Sequence, residues 1–181
     1  TGVQTCALPI CQALEASEHW NDALATYRRA EAIDATVFFA KEGIARASRM
    51  IALQARLDAY LAKPERLYSP AVQAEASKFL ASLDDTMSGG TRLAQDRQRL
   101  AEALKRATTK ITVRVSSDNA TEVTLYRVGR LGRFQNREVM LTPGTYTLVG
   151  SRPGYKDVRV ELIISPESDS PHVVVACKEP V

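Results

Sequence analysis

Between Leu141 and Ile164 the chain reads LTPGTYTLVGSRPGYKDVRVELII, and this run restricts the fold more than any other stretch. Tyr146 and Leu148 alternate with Thr145, Thr147 and Val149, and Val158, Val160 and Leu162 alternate with charged or polar neighbours. A side-chain period of two marks strands with one face buried. Pro143-Gly144 and Pro153-Gly154 punctuate the alternation. In a type II turn Pro presets φ at the second position and Gly supplies the positive φ of the third. The spacing therefore predicts three short strands joined by two such turns. No grouping of acid, base and nucleophile accompanies them.

The rhythm changes near Thr108. From Gln12 to Ala107 the chain is rich in Ala, Leu, Arg and Glu, which favour helix; from Lys110 onward Val, Thr, Tyr and Ile dominate, with Gly and Pro as breaks. A run of helices followed by a run of strands indicates α+β, built as two domains, rather than an alternating α/β sheet. The predicted boundaries are 11–107 for the helical part and 110–178 for an antiparallel β-sandwich. Strands are expected near Ile111–Val115, Glu122–Val128, Arg137–Leu141, Thr145–Gly150, Asp157–Ile164 and His172–Lys178, with a brief extra one around Leu131–Phe134.

In the helical part, Trp20, Ala23-Leu24, Tyr27, Ala30 and Asp34 fall at the spacing of the second helix of a tetratricopeptide repeat, and the segment resembles one. Ala35 stands where the repeat usually has Pro. A generic helical bundle accommodates the same offsets. Thr36 to Ala62 is either one long helix, with Ile44, Ala47, Ile51, Leu57 and Leu61 as its apolar stripe, or two helices with a bend near Ala47–Arg49. Gly43 costs about 1 kcal/mol against Ala in a helix interior. Pro64 stops the segment, and Ser69-Pro70 starts the next helix as N-cap and first residue. That helix buries Val72, Ala76, Phe79, Leu80 and Leu83. After the break at Ser88-Gly89-Gly90, Thr91 caps a last helix that buries Leu93, Leu100, Leu104 and Ala107 and turns Asp96, Arg97, Arg99, Glu102 and Lys105 to solvent.

The β half resembles the PEGA domain, a small bacterial sandwich of envelope and surface proteins. The resemblance lies in PGTYTL at Pro143 to Leu148, PGY at Pro153 to Tyr155, and Ile111 to Val115 followed by Asn119-Ala120-Thr121-Glu122-Val123. It covers Lys110 to about Lys178. Ser117-Asp118-Asn119-Ala120 stands in place of the family's Pro-Glu-Gly-Ala, and Pro-Gly turns also occur in carboxypeptidase-regulatory-like and other Ig-like sandwiches. The resemblance implies a binding or spacer module with no catalytic residues. Thr1 to Ile10, TGVQTCALPI, is similar to the translation of a sequencing-library adapter. The expectation is therefore a fragment whose native N-terminus, with any signal peptide or anchor, is missing. Cys6 and Cys11 then carry no weight, and Cys177 is expected as a small buried apolar residue on the last strand.

The 181 residues carry a net charge of +3, too mild to indicate nucleic acid. Three cysteines give no disulfide framework, and His19 and His172, the only histidines, have no ligand or triad partners nearby in sequence. Neither a metal nor a cofactor is expected. Asp84-Asp85 reads as a solvated helix end. Gly89-Gly90 lacks the Lys-Ser/Thr of a phosphate loop and reads as a hinge. Gly129 and Gly132 suggest a tight loop between strands. One basic concentration with interleaved aromatics remains as a candidate interaction surface: Tyr126, Arg127, Arg130, Arg133, Phe134 and Arg152. The expected function is a non-enzymatic envelope protein, periplasmic or tethered through a lost anchor, that docks protein or cell-wall components. The alternative is the regulatory tail of an enzyme whose catalytic domain lies upstream.

Overall fold

A computed structural model describes residues 2–36, 38–84 and 91–181. The Asp84-Asp85 carboxylates, Ser88-Gly89-Gly90 and the Thr91 side chain lie outside the described residues. The fold is α+β. Helices α1 (Gly2–Ala16), α2 (Trp20–Ile33), α3 (Phe38–Leu61), a short 3-10 helix (Pro64–Tyr68), α4 (Pro70–Asp84) and α5 (Thr91–Thr108) precede seven strands. Two compact units emerge: Thr1–Pro64 with Ala74–Ala103, and Glu65–Gln73 with Leu104–Val181.

In the helical unit the predicted face of α2 is buried: Ala23, Tyr27 and Ala30, spaced at i, i+4 and i+7 on one side of a helix. Cys11 of α1 joins Ala23 and Tyr27, with Leu14, Phe39 and Ile44 packed around them. α1 runs from Gly2 to Ala16, with Pro9 inside it. α3 is one continuous helix across Ala47–Arg49. No bend forms there because Ala47 is itself fully buried, in a stripe with Ala40, Gly43, Met50 and Leu57. Gly43 is needed for space: a Cβ built on it would lie 2.3 Å from the Tyr27 ring.

α3 ends at Leu61, before Pro64, and Pro70 opens α4, both as expected; Pro64 also begins the short 3-10 helix. Ala76, Phe79 and Leu83 of α4 are buried, as are Leu93, Leu100, Leu104 and Ala107 of α5. Asp96 corrects the expectation of a solvated residue: it is 5% exposed. Its Oδ2 accepts from Gln54 Nε2 of α3 at 2.8 Å, and its Oδ1 accepts from Arg99 Nη1 at 3.1 Å. Those charge-assisted bonds replace the water it lost.

Strands β1 (Ile111–Ser116), β2 (Glu122–Leu125), β3 (Gly129–Gly132), β4 (Asn136–Leu141), β5 (Gly144–Ser151), β6 (Val158–Ile164) and β7 (His172–Val174) form two sheets, ordered β4-β1-β7 and β3-β2-β5-β6. Alternate residues of both sheets share one core: Val113, Val115, Val123, Leu125, Leu131, Leu141, Leu148, Leu162, Ile164, Val173 and Val175. This is the predicted sandwich, antiparallel except that β1 pairs β7 in parallel. The chain crosses from β6 back to the smaller sheet and so arrives running the same way as β1. Ladder geometry ends at Val174, but the alternation continues, and Cys177 is buried as expected.

The two Pro-Gly dipeptides behave differently. Gly154 has φ +78°, and Tyr155 N–H donates to the Arg152 carbonyl at 3.0 Å, the bond of a type II turn. Gly144 instead has φ +152° and begins β5 directly. There is no hairpin at Pro143-Gly144, since β4 and β5 belong to different sheets. The dipeptide makes a corner between layers, tied by Tyr146 Oη donating to the Thr142 carbonyl at 3.0 Å. A tyrosine bonded to backbone a few residues upstream fixes such corners in Ig-like sandwiches.

Asp118 organises the β1–β2 connection. Its Oδ1 accepts from the N–H groups of Ala120 at 3.0 Å and Thr121 at 2.6 Å. The Thr121 bond above all, then Ala120 and the charge of Arg152, holds this carboxyl down at about 2. A folded-state value below the unfolded one means stability that is complete above about pH 4. It is lost as pH falls from there through 2. Asp118→Asn should flatten that acid limb in urea titrations repeated from pH 5 to 2, while the wild type loses stability across the window.

Candidate binding face

The outward residues of β1, β4 and β7 are mostly polar, with the exposed side chains of Met140 and Val174 among them. On β1, Val113 and Val115 point to the core, leaving Thr112, Arg114 and Ser116 on the other side. The register sets Arg114 between Glu138 and His172, and Ser116 between Asn136 and Val174. Arg114, Ser116, Asn136, Arg137, Glu138 and His172 line an open depression of about 530 Å³. The hydroxyl of Ser116 donates to Asn136 Oδ1 at 2.8 Å and lies 2.7 Å from His172 Nε2.

Ser116 thus stands between the Asn136 amide and the His172 ring, its proton directed to the amide oxygen. Arg137 reaches across the open edge of the sandwich to the Leu131 carbonyl. Arg114 has no side-chain hydrogen bond or ion pair among the described residues, and its guanidinium is exposed. Such a surface can take a carboxylate or a similar anion on the side of Arg114 away from Glu138: Arg114 supplies a forked donor, and Ser116, Asn136 and His172 add polar contacts. Among the described residues no cluster of His, Cys, Asp and Glu could hold a metal ion.

The six residues of the sequence-derived surface do not converge. Tyr126 and Arg127 sit at the tip of the β2–β3 hairpin, with Arg127 in the left-handed region at φ +66° and its guanidinium 5.6 Å from the Tyr126 ring centroid. Arg130 is on β3 and pairs with Glu122. Arg133 is exposed beyond β3, whereas Phe134 packs against the sandwich core. Arg152 lies past the far end of β5, 4.1 Å over the Tyr155 ring and 3.3 Å from Asp118 Oδ2. Glu122 pairs with Ser151 and Leu125 with Leu148, so Arg152 and the hairpin tip flank opposite ends of β2. The expected tight loop at Gly129 and Gly132 is also displaced: both glycines lie in β3, and the turn is Tyr126–Val128.

Sequence reasoning missed the β4-β1-β7 face. Its signal was present in the outward positions of three strands, but their adjacency depends on the β1–β7 pairing. His19 caps α2 without a side-chain cap bond and lies 2.9 Å from Ser17 Oγ. In comparisons with known proteins, no family model matches the chain, and no curated protein matches it either. Among the described residues no helix is long and apolar enough to cross a membrane.

Proposed function

We propose that this chain is a non-catalytic bacterial envelope module, with tetratricopeptide-like helices followed by a PEGA-like sandwich, that scaffolds or binds a protein or cell-wall component. The observation that carries the binding reading is the unpartnered Arg114 at the centre of the β4-β1-β7 outer face, with Ser116, Asn136 and His172 around it. Stem peptides of the cell wall and acidic protein segments both present carboxylates of the kind this face suits. Support for the family reading comes from Asn119. It occupies the place of the glycine in the family's Pro-Glu-Gly-Ala and holds φ +61°, a left-handed conformation that Gly and Asn adopt more readily than other residues. The buried side of the sandwich is aliphatic, and the Ser116 proton is directed to an amide, which supports binding rather than turnover.

The test is heteronuclear NMR titration of the full chain with soluble muropeptides. The expected result is shift changes at Arg114, Ser116, Asn136 and His172, with affinity weakened about tenfold or more in Arg114→Glu. Shifts that avoid this face would overturn the cell-wall reading. Ester hydrolysis abolished by Ser116→Ala would overturn the non-catalytic one.

A further inference from the structure

β6 is an outer strand of the four-stranded sheet, and its free side has a readable hydrogen-bonding parity. In an antiparallel ladder, hydrogen-bonded and non-bonded pairs alternate. Tyr126 N–H donates to the Thr147 carbonyl at 2.9 Å, so Thr147, Val149 and Ser151 direct their backbone groups toward β2. The intervening residues of β5 then bond β6, through Val158, Val160, Leu162 and Ile164. The N–H and C=O groups of Arg159, Glu161 and Ile163 consequently point away from the sheet. The side chains of these three are exposed, Ile163 at 71%. Arg159 and Glu161 have no hydrogen-bond or ion-pair partner among the described residues. Strand edges left open in this way are templates for another strand.

We propose that the occupant of this edge is the β6 of a second copy of the chain, paired antiparallel with Val160 on the two-fold axis. Charge selects both the partner and the register. Outward-directed residues must face outward-directed residues, so the two-fold axis passes through a residue and not between two. A centre at Val158 would run the pairing into Lys156, whose N–H already donates to the Glu179 carbonyl, and centres at Leu162 or Ile163 set Arg159 against residues beyond the end of β6, which leaves Arg159, Val160 and Glu161. Centring on Glu161 sets that carboxylate against itself. Centring on Arg159 opposes two arginines and brings Asp157 against Glu161. Like charges directly across a ladder are destabilising. Centring on Val160 alone places Arg159 of each copy opposite Glu161 of the other, two reciprocal ion pairs from one strand, and extends two four-stranded sheets into one. The isologous symmetry is that of most small homo-oligomers.

The experiment is sedimentation equilibrium of the full chain at low ionic strength up to submillimolar concentration, with thermal melts by circular dichroism to verify folding. The wild type is expected to dimerise, and less at 0.5 M salt, where the screening length is roughly a third of its low-salt value. Arg159→Glu and Glu161→Arg each place like charges at both contacts and should weaken association about tenfold or more. The double variant R159E/E161R recreates both pairs with reversed polarity and should recover most of the wild-type affinity. A monomeric wild type overturns the proposal. So do single variants that dimerise as well as the parent, or a folded double variant no better than the singles.

Discussion

Gly43→Ala should destabilise the helical unit by about 2–3 kcal/mol, the upper part of the range for overpacking a core. Helix propensity alone predicts the opposite sign, a gain of about 1 kcal/mol for Ala over Gly. The outcome is decided by what the new methyl meets. Three atoms of the Tyr27 ring lie at 2.3 to 2.5 Å from the position of a Cβ on Gly43. The ring cannot step aside cheaply. It is fully buried, tilted against Phe39 with centroids 6.3 Å apart, and tied at its far end. Tyr27 Oη donates to Glu15 Oε1 at 3.0 Å and accepts from Arg46 Nη2 at 3.2 Å, while Arg46 Nε holds the same carboxylate oxygen at 2.9 Å. Burial first, and then the Glu15 carboxylate, push the phenol up to about 12, so the hydroxyl stays a donor at every pH used for folding studies. Urea denaturation followed by the fluorescence of Trp20 measures the loss. A Tyr27→Ala background removes the obstacle, and there the Gly43→Ala change should cost nothing further. A full penalty persisting in that background would refute the steric account.

Gly150→Ala should cost about 2–3 kcal/mol in the sandwich. Gly150 has no left-handed φ, and what it provides is room. A Cβ there would lie 2.8 Å from Thr121 Cγ2, 2.8 Å from Val158 Cγ1 and 3.0 Å from Val175 Cγ1. All three neighbours are β-branched and stiff at χ1, so the segment after β7 would have to lift. That segment is held by the Cys177 N–H, which donates to the buried Thr121 Oγ1 at 3.0 Å. Lifting it strands a buried donor and acceptor together. Far-UV circular dichroism in urea should show the destabilisation, and hydrogen exchange at the Cys177 amide should accelerate more than at β2. Unchanged protection at Cys177 would mean that the methyl is absorbed elsewhere.

The fold was legible where a residue pattern speaks about its own backbone. Thr108 ends α5 and Ile111 begins β1, as the change from Ala/Leu/Arg/Glu to Val/Thr/Tyr/Ile indicates. The period-two alternation that sets Leu148 and Leu162 on a buried face agrees with their place in the core. Illegible features depend on partners far away in sequence. Pro143-Gly144 and Pro153-Gly154 are the same dipeptide, yet one joins strands of a single sheet and the other joins two sheets. Alternation says which face a side chain takes and nothing about which strand lies alongside. For that reason a shared basic character says nothing about whether Arg152 lies near Tyr126 and Arg127, and the pairing of β2 with β5 sets them at opposite ends of β2. The group of Arg114, Ser116, Asn136 and His172 was overlooked because His172 reaches β1 only through a crossover. Asp96 followed the same logic. Its position in α5 leans toward Gln54, 42 residues earlier, which a charge pattern on one helix does not reveal.

The parallel pairing of β1 with β7 has a mechanical consequence. Tension drawn between Ile111 and Cys177 would pull the two strands past each other along their length. The bonds from Arg114 N–H to the Pro171 carbonyl and from Val175 N–H to the Ser116 carbonyl, both 2.9 Å, would then share the strain and rupture together rather than peel open one at a time. A sandwich whose first and last strands are clamped in shear resists stretching better than one whose strands peel apart.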